Sequence, residues 1–215
     1  IMKKWFGLSV FLMMCVLHLP AQAAAIGKAT ADFDNERPGK NETAWGRLAA
    51  DALRSAAKAD IALIAAGSLK PGTLKAGPIQ APDVSALLNF GDDDVVTLTI
   101  TGAQLRAALE RAAQAYPDSS PAFLHTAGIH AQFNAQAPIN RRITMVRVHG
   151  REVSDGDSFV VAMPVSLAEG GAGYFTIWKG QSAKRMGTSL RAAVANFIKA
   201  RGDVSPDPTP RFAPQ

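Results

Sequence analysis

Glu42-Thr43-Ala44-Trp45-Gly46-Arg47-Leu48-Ala49-Ala50-Asp51-Ala52-Leu53-Arg54, followed shortly by Ala59-Asp60-Ile61-Ala62-Leu63-Ile64-Ala65-Ala66-Gly67, is the stretch on which the fold turns. Trp45, Leu48, Ala49, Ala52, Leu53 and Ala56 recur at three- and four-residue spacing, the period of an amphipathic helix. Ile61 to Ala66 is a continuous apolar run closed by Gly67, which predicts a buried strand running into a turn.

Working outward, Ser68 to Pro82 is too rich in glycine and proline for a helix or a central strand and reads as loop. A short helix is expected from Pro82 to about Asn89, and Val95 to Ile100 alternates as a strand. Thr101-Gly102-Ala103-Gln104 is a capping box, with a helix running to about Tyr116. Strands are then expected at Phe123 to Leu124, Ile129 to Phe133, Ile143 to Val148 and Phe159 to Met163, with a hairpin turn at His149-Gly150-Arg151. Glu169 to Tyr174 is a second glycine-rich loop, Phe175 to Trp178 reads as a short strand, and Leu190 to Ala200 as a last helix started by Thr188. Four prolines between 206 and 214 predict a tail with little regular structure. Helices and mostly antiparallel strands mixed in this irregular order argue an α+β domain, spanning 41–204 after a polar segment over 24–40 and before a Pro-rich tail over 205–215.

The N-terminus predicts export. Lys3 and Lys4 precede an apolar run from Trp5 to Leu19, and Ala21-Gln22-Ala23 supplies the small residues of a cleavage site, so residues 1–23 read as a signal peptide. The run is shorter than the roughly 20 residues a spanning helix needs, so no membrane association is expected after leader cleavage. The location implied is periplasmic or secreted. Cys15, the single cysteine, lies in the leader, which excludes thiolate metal sites and cysteine nucleophiles from the mature chain. Removing Lys3 and Lys4 lowers the formal charge from +5 to +3. The basic residues are scattered, which argues against a nucleic-acid partner.

Chemistry-bearing patterns are weak. His125, His130 and His149 lack metal-ligand spacing and read as solvated or core histidines, so no metal or cofactor site is expected. Ser55-Ala56-Ala57-Lys58 lacks the companion motifs of a Ser-x-x-Lys enzyme and reads as a helix end. Asp92, Asp93 and Asp94 do not match a calcium loop and read as the solvated start of a strand. Gly170-Gly171-Ala172-Gly173 has neither phosphate-loop spacing and reads as a tight turn beside a pocket.

Taken together, the segments from about Glu42 to Arg211 resemble the C-terminal domain of the periplasmic 5'-nucleotidase family. The resemblance rests on Glu42, Gly46-Arg47-Leu48 and Asp51-Ala52-Leu53-Arg54, then Ala59 to Leu63 with Gly67, and then Gly77, Ile79 and Asp83-Val84. It continues through Asn89-Phe90-Gly91, Leu98, Thr101 to Leu105, and Gly170-Gly171 with Gly173-Tyr174. In that family an N-terminal metallophosphoesterase domain holds two metal ions and does the chemistry, while the C-terminal domain binds the nucleoside part of the substrate. The leader here abuts the C-terminal-type domain, so the resemblance implies a stand-alone specificity domain without catalytic residues of its own, serving nucleotide catabolism.

By resemblance, a nucleoside or nucleotide would be held by Lys70, Phe90, Asp92, Gly171, Gly173 and Tyr174. Five positions depart from the family pattern. Phe90 matches one of two aromatics that sandwich the base, but Ser166 stands at the second. Lys70 replaces an arginine, Ala65 an asparagine, Asp92 an asparagine and Ala172 an aspartate. One missing aromatic wall weakens binding by about 5- to 150-fold. Tyr174, Phe175 or Trp178 are the aromatics available to restore it. The functions implied are a binding module, the specificity subunit of a split enzyme with a separate metallophosphoesterase chain, or a degenerate interaction domain.

Overall fold

The computed structural model describes residues 24–215, and the signal peptide expected over residues 1–23 lies outside them. In chain order the elements begin with β1 (Gly27–Ala29), β2 (Phe33–Asp34), α1 (Ala44–Ala57), β3 (Ile61–Ala65), β4 (Thr73–Leu74), β5 (Gly77–Ile79) and α2 (Ala81–Ala86). They continue with β6 (Asp94–Thr101), α3 (Gly102–Ala113), β7 (Leu124–Ala127), β8 (Ile129–Phe133), β9 (Ile143–Val148), β10 (Arg151–Glu152) and β11 (Ser158–Pro164). The last are α4 (Val165–Ala168), β12 (Lys184–Ser189), α5 (Leu190–Arg201), β13 (Asp203–Val204) and β14 (Phe212–Pro214).

This is the α+β arrangement the sequence predicts. A central sheet runs β12-β6-β11-β3-β7 and a second runs β10-β9-β8-β14. The parallel pairings are β3 with β11, β8 with β14 and β1 with β13; the other pairings are antiparallel. The apolar run of β3 is explained by cover on both faces. Ile61 and Leu63 enter a core shared with α3 and the second sheet, while Ala62 and Ile64 enter one shared with α1, α2 and α5. Among the described residues no helix is long and apolar enough to cross a membrane.

Local signals behave as their chemistry dictates. The Thr43 side chain accepts from Gly46 N–H to start α1, and Lys58, in the left-handed region at φ 50°, ends it. The Ser55-to-Lys58 match is therefore a helix terminus. The capping box of Thr101 and Gln104 is formed reciprocally at α3. His149 and Gly150 both take positive φ between paired Val148 and Arg151, the geometry of a two-residue hairpin turn, and join β9 to the short β10.

Four segments differ from expectation. The loop from Ser68 to Pro82 contains β4 and β5; Pro78 is tolerated because β5 lies at a sheet edge, paired with β1 alone. Phe175 to Trp178 is a turn and not a strand: Tyr174 and Trp178, one helical turn apart, stack their rings at 5.7 Å, so burial rather than sheet pairing explains these two aromatics, while Phe175 is exposed. The polar strand β12 carries little apolar signal because it is an edge strand with an irregular register against β6. The proline-rich end is ordered by β14, whose Phe212 is buried between Phe123 and Phe133 at centroid distances of 5.4 and 5.0 Å.

Candidate functional site

Parallel strands β3 and β11 finish at one end of the central sheet, where antiparallel β6 and β7 begin. A cleft of 390 Å³ opens there, lined by Ala65, Gly67 and Ser68 after β3, Phe90 before β6, Pro121 before β7, and Ser166, Leu167, Gly171 and Ala172 after β11. Its volume falls in the range of small-molecule sites. Phe90 is 58% exposed, so its ring is open to a molecule entering the cleft.

Polar ties fix these walls to one another. Asn89 Nδ2 donates to Gly67 O and Leu69 O, each at 3.0 Å, joining the Phe90 loop to the segment after β3. Ser166 N–H donates to Asp93 Oδ2 at 3.2 Å, joining the same loop to α4. Gly67 N–H donates to Pro121 O at 2.9 Å. Tyr174, fully buried, donates its hydroxyl to Ala122 O at 2.7 Å, and burial pushes this phenol well up from its ordinary value. Beneath the glycine turn, Arg111 Nη2 donates to Ala172 O at 2.7 Å. A side chain at Gly171 would meet Ser166 O at 2.6 Å, so glycine lets the turn close against α4.

Of the residues singled out from the sequence, Phe90 and Gly171 line the cleft, and Ser166, Ala65 and Ala172 line it with them. Gly173 lies over the Arg111 guanidinium and Tyr174 lies in the core, behind the wall. Lys70 is exposed outside the lining, with its N–H given to Leu87 O and its carbonyl receiving Asn35 Nδ2. Asp92 is exposed and paired with Arg191. Trp178 is core, and Phe175, 67% exposed beside Gly170, does not line the cleft. Sequence reasoning missed Ser68, Pro121 and Leu167 as lining, and Asp93 and Arg111 as ties; only Asn89, inside the quoted Asn-Phe-Gly, carried a signal.

The histidines stand apart from the cleft. His125 is buried: its Nδ1 accepts from Thr43 N–H at 3.2 Å, so Nε2–H donates to Pro38 O at 3.0 Å. Burial holds its pKa down at about 3. Gly46 is what admits the ring, since a side chain there would collide with Nδ1. Among the described residues no cluster of three His, Cys, Asp or Glu side chains is placed to hold a metal. The cleft can stack, enclose and orient a ring.

A second polar cluster lies in the interior. Glu42 accepts from Thr126 N–H and Oγ1 at 2.7 and 2.8 Å, and from Arg211 and Phe212 N–H at 2.6 and 3.2 Å. Burial pushes its carboxyl up despite those four donors. Arg211 grips Asp51 through both terminal nitrogens at 2.7 and 2.9 Å.

Comparison with known proteins gives the architecture a family. The family model described as 5'-nucleotidase, C-terminal domain, matches residues 25–180. A 5'-nucleotidase of Diplobatis ommata is 29% identical over 139 residues, covering 60% of this chain and 24% of its own. The 5'-nucleotidase precursor of Thermus thermophilus superposes with a TM-score of 0.82 at 22% identity, over 89% of this chain and 39% of that one. The NAD nucleotidase of Haemophilus influenzae does so with 0.77 at 18% identity, over 89% and 38%. At these identities the superpositions speak for the fold, and this chain spans well under half the length of each relative. With the model matching most of the chain and the fold agreeing, the chain belongs to the 5'-nucleotidase C-terminal domain family.

Proposed function

We propose that this chain is a binding module that holds the ring of a nucleoside or nucleotide in the Phe90 cleft and does no chemistry alone. The observation that carries this reading is Phe90 itself: a largely exposed aromatic at the mouth of a cleft whose walls are tied to one another. A stacking platform gains from such preorganisation because little freedom is left to lose on binding. In this reading Phe90 stacks, Gly171, Ser68 and Ser166 shape the contact, Gly173 and Tyr174 hold the turn, and Lys70 and Asp92 stand outside. The leader pattern supports a periplasmic or secreted location, and the relatives' names support a role in nucleotide breakdown.

Titration of a nucleoside and nucleotide panel tests it. Binding is expected without divalent metal and without phosphate release, and Phe90→Ala is expected to weaken it about 5- to 150-fold at unchanged stability. Absence of heat with every compound at millimolar concentration would sink the reading. The second reading, a specificity subunit for a separate metallophosphoesterase chain, draws on the shares of 24% and 39% that this domain occupies in longer relatives. Co-purification with such a chain and phosphatase activity only in the mixture would favour it.

A further inference from the structure

A second cleft, of 470 Å³, runs along the outward face of α3 and shares no lining residue with the Phe90 cleft. Arg106, Arg111 and Gln114 line it from the helix, Gly173 and Thr176 from the glycine turn, and Asn140 from the loop before β9. Arg111 is held in a fixed pose: Nη1 donates to Gln114 Oε1 at 2.8 Å and Nη2 to Ala172 O at 2.7 Å. A side chain at Gly173 would meet Nη2 at 2.7 Å and Nε at 2.8 Å, so glycine there makes room for the guanidinium. Both acceptors are neutral, and neither Arg111 nor Arg106 forms an ion pair among the described residues. A guanidinium has five N–H groups, and the two bonds of Arg111 leave three of them for a ligand.

The carboxylates of the lining do not supply the missing partner. Glu110 is buried, and its two oxygens accept the N–H groups of Arg142 and Ile143 at 3.0 and 2.9 Å. Asp155 belongs to the other end of the groove: its carbonyl accepts Ala103 N–H at the start of α3, about 12 Å of helical rise from Arg111 and beyond the screening length at physiological salt. The carbonyls at the end of α3 do not claim Arg111 either, because Arg142 Nη1 donates to those of Ala113, Gln114 and Tyr116. Gln114 spends its Oε1 on Arg111, which leaves its Nε2 to donate beside the guanidinium. This end of the groove therefore offers fixed donors and a positive charge, the set that a carboxylate or phosphate oxygen accepts from.

We propose that the groove along α3 is a second binding site, for the carboxylate or phosphate of a small ligand, gripped by Arg111 with Arg106 and Gln114. Isothermal titration of the full chain with succinate and with inorganic phosphate, at an ionic strength held constant with chloride, tests this. Saturable heat at millimolar concentration is expected from at least one of them; which one responds distinguishes a carboxylate site from a phosphate site. Arg111→Lys keeps the charge and loses the fork, and is expected to weaken binding at least about tenfold, the scale of one charge-assisted hydrogen bond. Because Arg111 also holds the glycine turn, Arg106→Ala gives the independent reading: about fivefold weaker binding at an unchanged urea midpoint. Lys28→Ala, which removes an exposed charge on β1, should leave binding as it is. No heat with either anion, binding that persists undiminished in both arginine variants, or an equal loss in Lys28→Ala would each overturn the site. No ring compound is present in these titrations, so their outcome is independent of the Phe90 cleft.

Discussion

The Phe90 cleft and the cluster around Glu42 divide the polar chemistry of this molecule in opposite ways. The cleft is lined by small, apolar and hydroxyl side chains, with its polar ties running behind the walls. The Glu42 cluster gathers Arg211, Asp51 and Thr126, and uses them to hold β14 and the end of the chain. Charge is committed to stability in one region and kept out of the surface a ligand would touch in the other. The two functions should therefore respond to separate substitutions.

The largest separation is expected at Glu42. Glu42→Ala leaves the N–H groups of Thr126, Arg211 and Phe212 without their acceptor, and each buried orphan costs about 1–3 kcal/mol. A loss of about 4 kcal/mol is expected from urea unfolding, with cleft affinity unchanged well below the transition. A loss under about 1 kcal/mol would mean that Phe212 packing alone holds the tail.

Next in size is a pH effect of two opposed groups. His125 is held at about 3 by burial, against 6.5 when unfolded. Its neutral form contributes stability that is fully present above pH 6.5 and is lost as pH falls toward 3. From the size of the shift the effect is of order 4 kcal/mol. Glu42 works the other way: its raised folded pKa means stability present below its ordinary value of 4.5 and lost as pH rises through the folded value. Wild-type unfolding should therefore show a muted fall in stability between pH 6.5 and 3. Glu42→Gln should steepen that fall and His125→Phe should flatten or invert it, both read from urea midpoints. Parallel profiles in all three proteins would refute the assignment.

How much of this the sequence could reveal depends on whether the signal was local. The amphipathic period of α1, the capping box of α3 and the apolar run of β3 are written in adjacent residues, and each element stands where its pattern lies. β12 and β14 are defined by partners far along the chain, and a polar edge strand or a proline-rich end carries no periodic mark of that pairing. The cleft divides similarly. Phe90 and Gly171 sit in short motifs, whereas Pro121 and Leu167 reach the lining only because β7 and β11 share a sheet with β3. Tyr174 shows the limit of a motif: its place beside the glycine turn is legible, but only the fold shows the hydroxyl turned inward to Ala122.

Asn89 is where the two regions are hardest to tell apart, so it gives the finest test. It is exposed, yet its amide bridges Gly67 and Leu69 directly behind the Phe90 ring's loop. Exposed hydrogen bonds are replaced by water at small net cost, so Asn89→Ala should lower stability by only about 1 kcal/mol. The freed loop must then be ordered when a ring binds, and that ordering is charged to affinity. Binding should weaken about fivefold while the stacking surface stays intact. Phe90→Ala should show the opposite pairing, a larger loss of affinity with stability unmoved. If Asn89→Ala leaves affinity unchanged, the ties behind the walls serve the fold alone and the cleft does not depend on their rigidity.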